Sequence, residues 1–152
     1  MIARIATPAI TFFLFLPFMN TSYTQLNEMV GVWVNTDPDT RGITKIAIYE
    51  KDGATMIRAF GSCSPTDCDM GSTDFHLLGD SVQSTKLPYG FATWDSGFAV
   101  SHFTLTLAKD KMSVSDFTIF KDRSNRTNYR SDFTLRKAVG DETKLPPEKK
   151  TK

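Results

Sequence analysis

Two cysteines and two histidines are all this 152-residue chain has of the side chains most used to hold transition metals. Zinc needs three or four good ligands, and the chain offers neither a C-x2-C pair nor a histidine cluster, so no metal is expected. Charge of one sign is also lacking: eighteen Lys and Arg against seventeen Asp and Glu leave a net +1. Such a balance provides no electrostatic footprint for nucleic acid. No stretch of ten or more residues keeps a helical apolar period, which excludes a helical bundle. No serine or cysteine nucleophile with a paired base is identifiable from spacing, so neither a catalytic constellation nor a cofactor is expected.

The one long apolar run lies at the start. Arg4 is the only charge before Glu28, and Ile5 to Met19 is almost wholly apolar. A basic start, an apolar run of about 15 residues and small polar residues after it follow the order of a secretory signal peptide. The run is short of the roughly 20 residues a membrane span needs, and Pro8 and Pro17 interrupt it. Ser22 and Thr24 stand at −3 and −1 of a cleavage before Gln25. Residues 1–24 are therefore expected to direct export, giving a secreted or periplasmic protein with no membrane attachment after cleavage. Loss of Arg4 would leave the mature chain formally neutral.

What remains reads as strands. Period-two alternation recurs in segments rich in Val, Ile, Thr and Phe. The expected strands are Val30–Asn35, Ile43–Glu50, Ala54–Phe60, Asp74–Leu78, Ser81–Leu87, Phe91–Trp94, Phe98–Leu107, Met112–Phe120 and Asn128–Lys137, with one helical turn at Tyr23–Met29 plugging the start. Asp52-Gly53 supplies the positive-φ positions of a tight hairpin. In Met112–Phe120 a bulge near Ser115-Asp116 would bring Phe117 and Ile119 to the same side as Met112 and Val114. Eight or nine short strands joined by hairpins predict an all-β fold, an antiparallel up-and-down barrel of about eight strands, with a sandwich as the alternative. Residues 25–137 form this single domain, and 138–152, polar with Pro146-Pro147 and several lysines, form a disordered tail.

Cys63 and Cys68 lie five positions apart around Pro65, Asp67 and Gly71. Behind an export signal the pair reads as a disulfide stapling a turn, rather than a metal or redox site with Asp67 and Asp69. His76 and His102 are opposite in phase to Phe75 and Phe103 and are expected to face solvent. The carboxylates Asp37, Asp39, Asp67, Asp69 and Asp74 read as turn chemistry, since calcium would need six or more oxygens and no EF-hand spacing is present. Asn125-Arg126-Thr127 is a glycosylation sequon, relevant in a eukaryotic source.

Gly31-Val32-Trp33, opening the first strand with an arginine on the last, resembles the lipocalin and avidin-like barrels. The resemblance implies that Trp33 closes the bottom of the barrel and that Arg136, or else Arg130, packs across it. A second resemblance covers Gly31 to Lys137. Trp33-Val34-Asn35, Thr40-Arg41-Gly42-Ile43-Thr44-Lys45 and Cys63-Ser64-Pro65-Thr66-Asp67-Cys68-Asp69 look like a family of uncharacterised secreted bacterial proteins with a W-x-N, T-x-G-I-T-K and C-x-P-x-D-C-D-W-G signature. Asp122 to Tyr129 is similar to that family's D-x-S-x-R-x-x-Y segment, while Met70 stands where the signature has tryptophan.

The sequence thus points to an exported, non-enzymatic barrel that binds a small apolar ligand or a protein partner. Phe60, Phe91, Trp94 and Phe103 are large enough to fill its interior, and Phe98, Val100 and Phe120 are candidates for its outside. The alternative is a structural or interaction module, such as an envelope-associated inhibitor or adhesin, whose contact surface is the Cys63–Cys68 loop with Pro65, Asp67, Asp69 and Met70.

Overall fold

The computed structural model describes residues 28–148, so the expected signal segment lies outside the described residues. Nine antiparallel strands form one sheet: β1 (Gly31–Asn35), β2 (Ile43–Lys51), β3 (Ala54–Gly61), β4 (Cys68–Asp74), β5 (His76–Leu78), β6 (Tyr89–Asp95), β7 (Ala99–Ala108), β8 (Lys111–Phe120) and β9 (Tyr129–Lys137). Their order is β4-β3-β2-β1-β9-β8-β7-β6-β5. The two edge strands are consecutive in the chain, so β4 and β5 act as one strand bent at Phe75 that leaves one edge and joins the other. The result is a nearly closed up-and-down barrel of about eight strands.

Local chemistry sets the turns. Lys51 pairs with Ala54 across Asp52-Gly53, whose φ angles are 52° and 80°. This is the two-residue hairpin that positive φ at both central positions produces. The bend at Phe75 works because Gly90 on β6 has no side chain. A Cβ there would meet the Phe75 ring at 2.1 Å, and the ring is buried against it.

Three expectations are corrected. Cys68–Asp74, most of which falls outside the expected strands, is strand β4 paired with β3; its one large apolar residue is Met70, too little for an alternating pattern to show. Ser81–Leu87 is a loop of bends and turns, where Ser81 and Ser84 bond to each other. No bulge interrupts β8, which pairs in unbroken register with β7 and β9. Met112, Val114, Asp116 and Thr118 all face inward and are buried, while Phe117 and Ile119 point out and are partly exposed.

The inward residues fill one half of the barrel. Met29, Trp33, Ile46, Ile48, Ile57, Phe103, Leu105, Met112, Val114 and Leu135 are almost wholly buried there. Met29 plugs this end, and its carbonyl accepts the Trp33 indole N–H at 2.8 Å. Of the side chains expected to fill the interior, Trp94 and Phe103 do so, with ring centroids 4.6 Å apart. Phe91 faces out and stacks on His102. Phe60 also faces out, yet is 2% exposed, because the chain beyond β9 covers it.

That covering segment replaces the disordered tail over the residues described. After β9 a 3-10 turn (Gly140–Thr143) leads into an extended strap over β2, β3 and β4. Arg58, outward on β3 and buried, donates to the carbonyls of Pro146 (2.8 Å) and Pro147 (3.2 Å). Tyr49 and Ser72 donate to the Glu148 carboxylate.

Candidate functional site

Four connections meet at the end opposite Met29: residues 36–42, 62–67, 96–98 and 121–128. Between them the barrel opens into a cup of about 1050 Å³. The upper tier of its wall follows from strand register. Trp94 pairs with Ser101, Ser101 with Thr118, and Thr118 with Tyr129. One tier deeper, Phe103 pairs with Asp116 and Asp116 with Ser131. One wall is therefore hydroxyl and carboxylate (Ser101, Asp116, Thr118, Ser131), while Trp94, Met70, Ile43 and Phe133 supply apolar surface.

Asp116 is the chemically distinctive group. It is 8% exposed, and the Thr118 hydroxyl donates to its Oδ1 at 3.2 Å. Burial raises its pKa above the ordinary aspartate value, against the opposing effect of hydrogen bonds from Thr118 and Ser101. Asp116 forms no ion pair among the described residues.

The rim is aromatic and charged. Arg126 lies 3.9 Å from the centroid of the Phe120 ring and 5.2 Å from that of Phe98, and pairs with Asp122. Phe98 and Phe120 thus border the mouth rather than coat the barrel. Lys121 bridges to Asp95 at 2.6 Å, tying the β8–β9 connection to the β6–β7 turn, and this bond holds the Asp95 carboxyl below its ordinary pKa. The sequon residue Asn125 is exposed on the same connection.

The cysteine loop forms part of this lip. Cys63 and Cys68 are disulfide-bonded with Cα atoms 5.4 Å apart, and Cys63 borders the cup. The expected contact residues separate. Pro65 is exposed, and Asp67 accepts from the Thr44 hydroxyl at 2.7 Å. Asp69 turns away from the mouth, where both its oxygens bind Arg58, at 3.1 and 2.7 Å. Met70 points into the cup and packs on the core. Loop and cup meet because Met70-Gly71 forms a bulge in β4, with Gly71 at φ 81°.

Trp33 is buried at the closed end, but Arg136 does not cross it. Arg136 points outward and pairs with Glu142 at 2.7 Å. Lys137, register partner of Trp33, places its Nζ 4.2 Å from the indole centroid and caps the carbonyls of Glu28 (2.9 Å) and Val30 (2.6 Å). Parity decides this: 133, 135 and 137 face inward on β9, and 136 cannot. Arg130, the second choice, is exposed and pairs with Asp132.

The histidines lie on the outer face. His76 is exposed, and His102 is half-buried with Nδ1 3.0 Å from the Thr93 hydroxyl. The loop carboxylates do not converge, since Asp37 and Asp39 lie at the mouth while Asp69 is on the outer wall. Among the described residues no group of three or more His, Cys, Asp or Glu could hold a metal ion, and no helix is long and apolar enough to cross a membrane. No protein-family model, curated protein or solved structure matches the chain.

Sequence reading missed Asp116 and Thr118 as site residues. The available signal was the unbroken parity of Met112, Val114, Asp116 and Thr118, which changes from apolar to polar halfway along one face.

Proposed function

We propose that this protein is an exported, non-enzymatic binding module that takes one small, largely apolar molecule into the open end of its barrel. The observation that carries the reading is the division of the interior. Large side chains pack one half solid, whereas the other half is a cup of about 1050 Å³. Its volume is at the upper end of the range of small-molecule sites, which are mostly apolar with a few placed polar groups. The disulfide supports passage through an oxidising compartment, in keeping with the signal-like N-terminus.

Native mass spectrometry of protein purified from its own host tests the reading. The expected result is a mass adduct that disappears on denaturation. Ser131→Phe, which fills the cup from β9, should abolish the adduct without unfolding the barrel. A bare polypeptide mass in repeated preparations, or an adduct of equal occupancy in Ser131→Phe, would overturn it.

A further inference from the structure

We propose that the cup selects an organic cation, a molecule with an amine at one end and an apolar body, and that Asp116 binds the ammonium. This deepens the binding-module reading and rests on it.

Three independent observations converge. The first is the state of Asp116 itself. An ionised carboxylate offers about four acceptor sites, and here the hydroxyls of Thr118 on its own strand and Ser101 on β7 reach it. Burying a carboxylate without a cation is costly unless one arrives. Buried acids are rarely left without a paired cation. Of the cations around the cup, Arg126 is paired with Asp122 and lies on two rings at the rim, Arg130 is paired with Asp132 and Lys121 with Asp95. Arg41 lines the mouth, and His102 on β7 acts on Asp116 through its charge without an ion pair.

The second observation is the charge around the opening. Asp37, Asp39 and Asp116 line the cup with no ion pair among the described residues, against Arg41; the other lining charges are paired, Asp95 with Lys121, Asp132 with Arg130 and Arg126 with Asp122. A cleft lined mainly by one sign attracts the opposite sign and repels the same sign. An anionic or zwitterionic ligand would face that excess, and a cationic one would gain from it.

The third is the aromatic wall. Trp94 and Tyr129 are in the tier above Asp116, and Phe133 and Phe120 also line the space. Aromatic faces attract a desolvated cation and accept an apolar body, so one surface serves both ends of such a molecule. Arg126, 3.9 Å from the Phe120 ring centroid, shows that this rim already holds an organic cation.

Isothermal titration of the full folded chain with three isosteric probes tests the proposal: 1-naphthylmethylamine, 1-naphthalenemethanol and 1-naphthoate. The amine should bind at least tenfold more tightly than the alcohol, and naphthoate most weakly. In Asp116→Asn the amine should fall to the alcohol's affinity while the alcohol changes less than twofold, with near-ultraviolet circular dichroism confirming an intact fold. Equal binding of amine and alcohol by the wild-type chain would overturn cation selection yet leave the cup as a binding site. Preference for naphthoate would do the same. An amine preference that survives in Asp116→Asn would overturn the role of Asp116. If none of the three binds and native preparations also lack an adduct, both the selectivity and the binding-module reading fail.

Discussion

Arg58 and Asp69 form a two-pronged ion pair on the outside of the barrel, buried beneath Pro146 and Pro147. Nε and one terminal nitrogen of Arg58 meet the two carboxylate oxygens, and the other side of the guanidinium holds both proline carbonyls. The guanidinium also lies 4.8 Å from the Phe60 ring centroid. Three chain segments that sequence reading treats separately, a strand, the stapled loop and the tail, are joined by this one side chain.

Removing Arg58 takes the cation from a buried carboxylate, which keeps the Gly71 N–H at 2.9 Å, and the donor from two carbonyls. Arg58→Ala should therefore cost about 3–5 kcal/mol, the range for breaking a buried pair from one side. Ending the chain at Leu145 admits water to the pair instead of orphaning it, so it should cost less. Urea denaturation of both variants checks the order, and a truncation as damaging as Arg58→Ala would contradict this role for the strap.

At the closed end the cation on Trp33 is Lys137. Trp33→Ala should cost about 3–5 kcal/mol as a large buried side chain is lost. Lys137→Met keeps the aliphatic stem and loses the charge over the indole, and is expected to cost about 1 kcal/mol. Arg136→Ala should leave the midpoints close to those of wild type, as for an exposed pair. Thermal and urea midpoints separate the three, and a larger effect at Arg136 than at Lys137 would restore the arginine expected from sequence.

The disulfide closes a short loop. Cys63→Ser should cost about 2 kcal/mol by the chain-entropy relation for six residues. Dithiothreitol should lower the wild-type midpoint to that of the variant. A wild-type protein indifferent to reductant would show that the staple contributes nothing.

Asp116 gives a pH dependence whose sign is fixed. Its folded pKa is raised by burial, so its favourable contribution is complete below the ordinary aspartate value of 3.8 and is lost as pH rises through the folded value. Asp116→Asn should consequently be at least as stable as wild type at pH 7, with the advantage shrinking toward pH 3. Urea midpoints at the two pH values check this, and a destabilised Asp116→Asn at pH 7 would mean that the carboxylate has a stabilising partner.

The fold was legible because turn residues and alternation agree. Asp52-Gly53 forms the hairpin its composition predicts, and the threonine-alternating β7 faces Phe103 and Leu105 inward. The site was less legible because an inward polar residue contradicts the rule by which strands are read. Asp116 and Thr118 look like a surface stripe, so a bulge was expected in order to hide Phe117 and Ile119. Those two remain partly exposed, with the Arg130 guanidinium 5.6 Å from the Phe117 centroid. The strap was invisible for a different reason. Its docking uses proline carbonyls and one glutamate, which carry no pattern, and its receptor Arg58 is a charged residue in a strand.

The cysteine loop proves to be one lip of a split ring. Between β4 and β6, on the side of the mouth, no backbone ladder closes the barrel. The join consists of the Thr73 hydroxyl on the Thr93 carbonyl (2.9 Å) and the Trp94 indole on the Gly71 carbonyl (3.0 Å). Everywhere else, widening the barrel means breaking a row of peptide hydrogen bonds together. Here it means releasing two side chains, one of which is itself a wall of the cup. The aperture is thus a collar with a single clasp, and of the two side chains that hold it shut, Trp94 also lies in the wall of the cup.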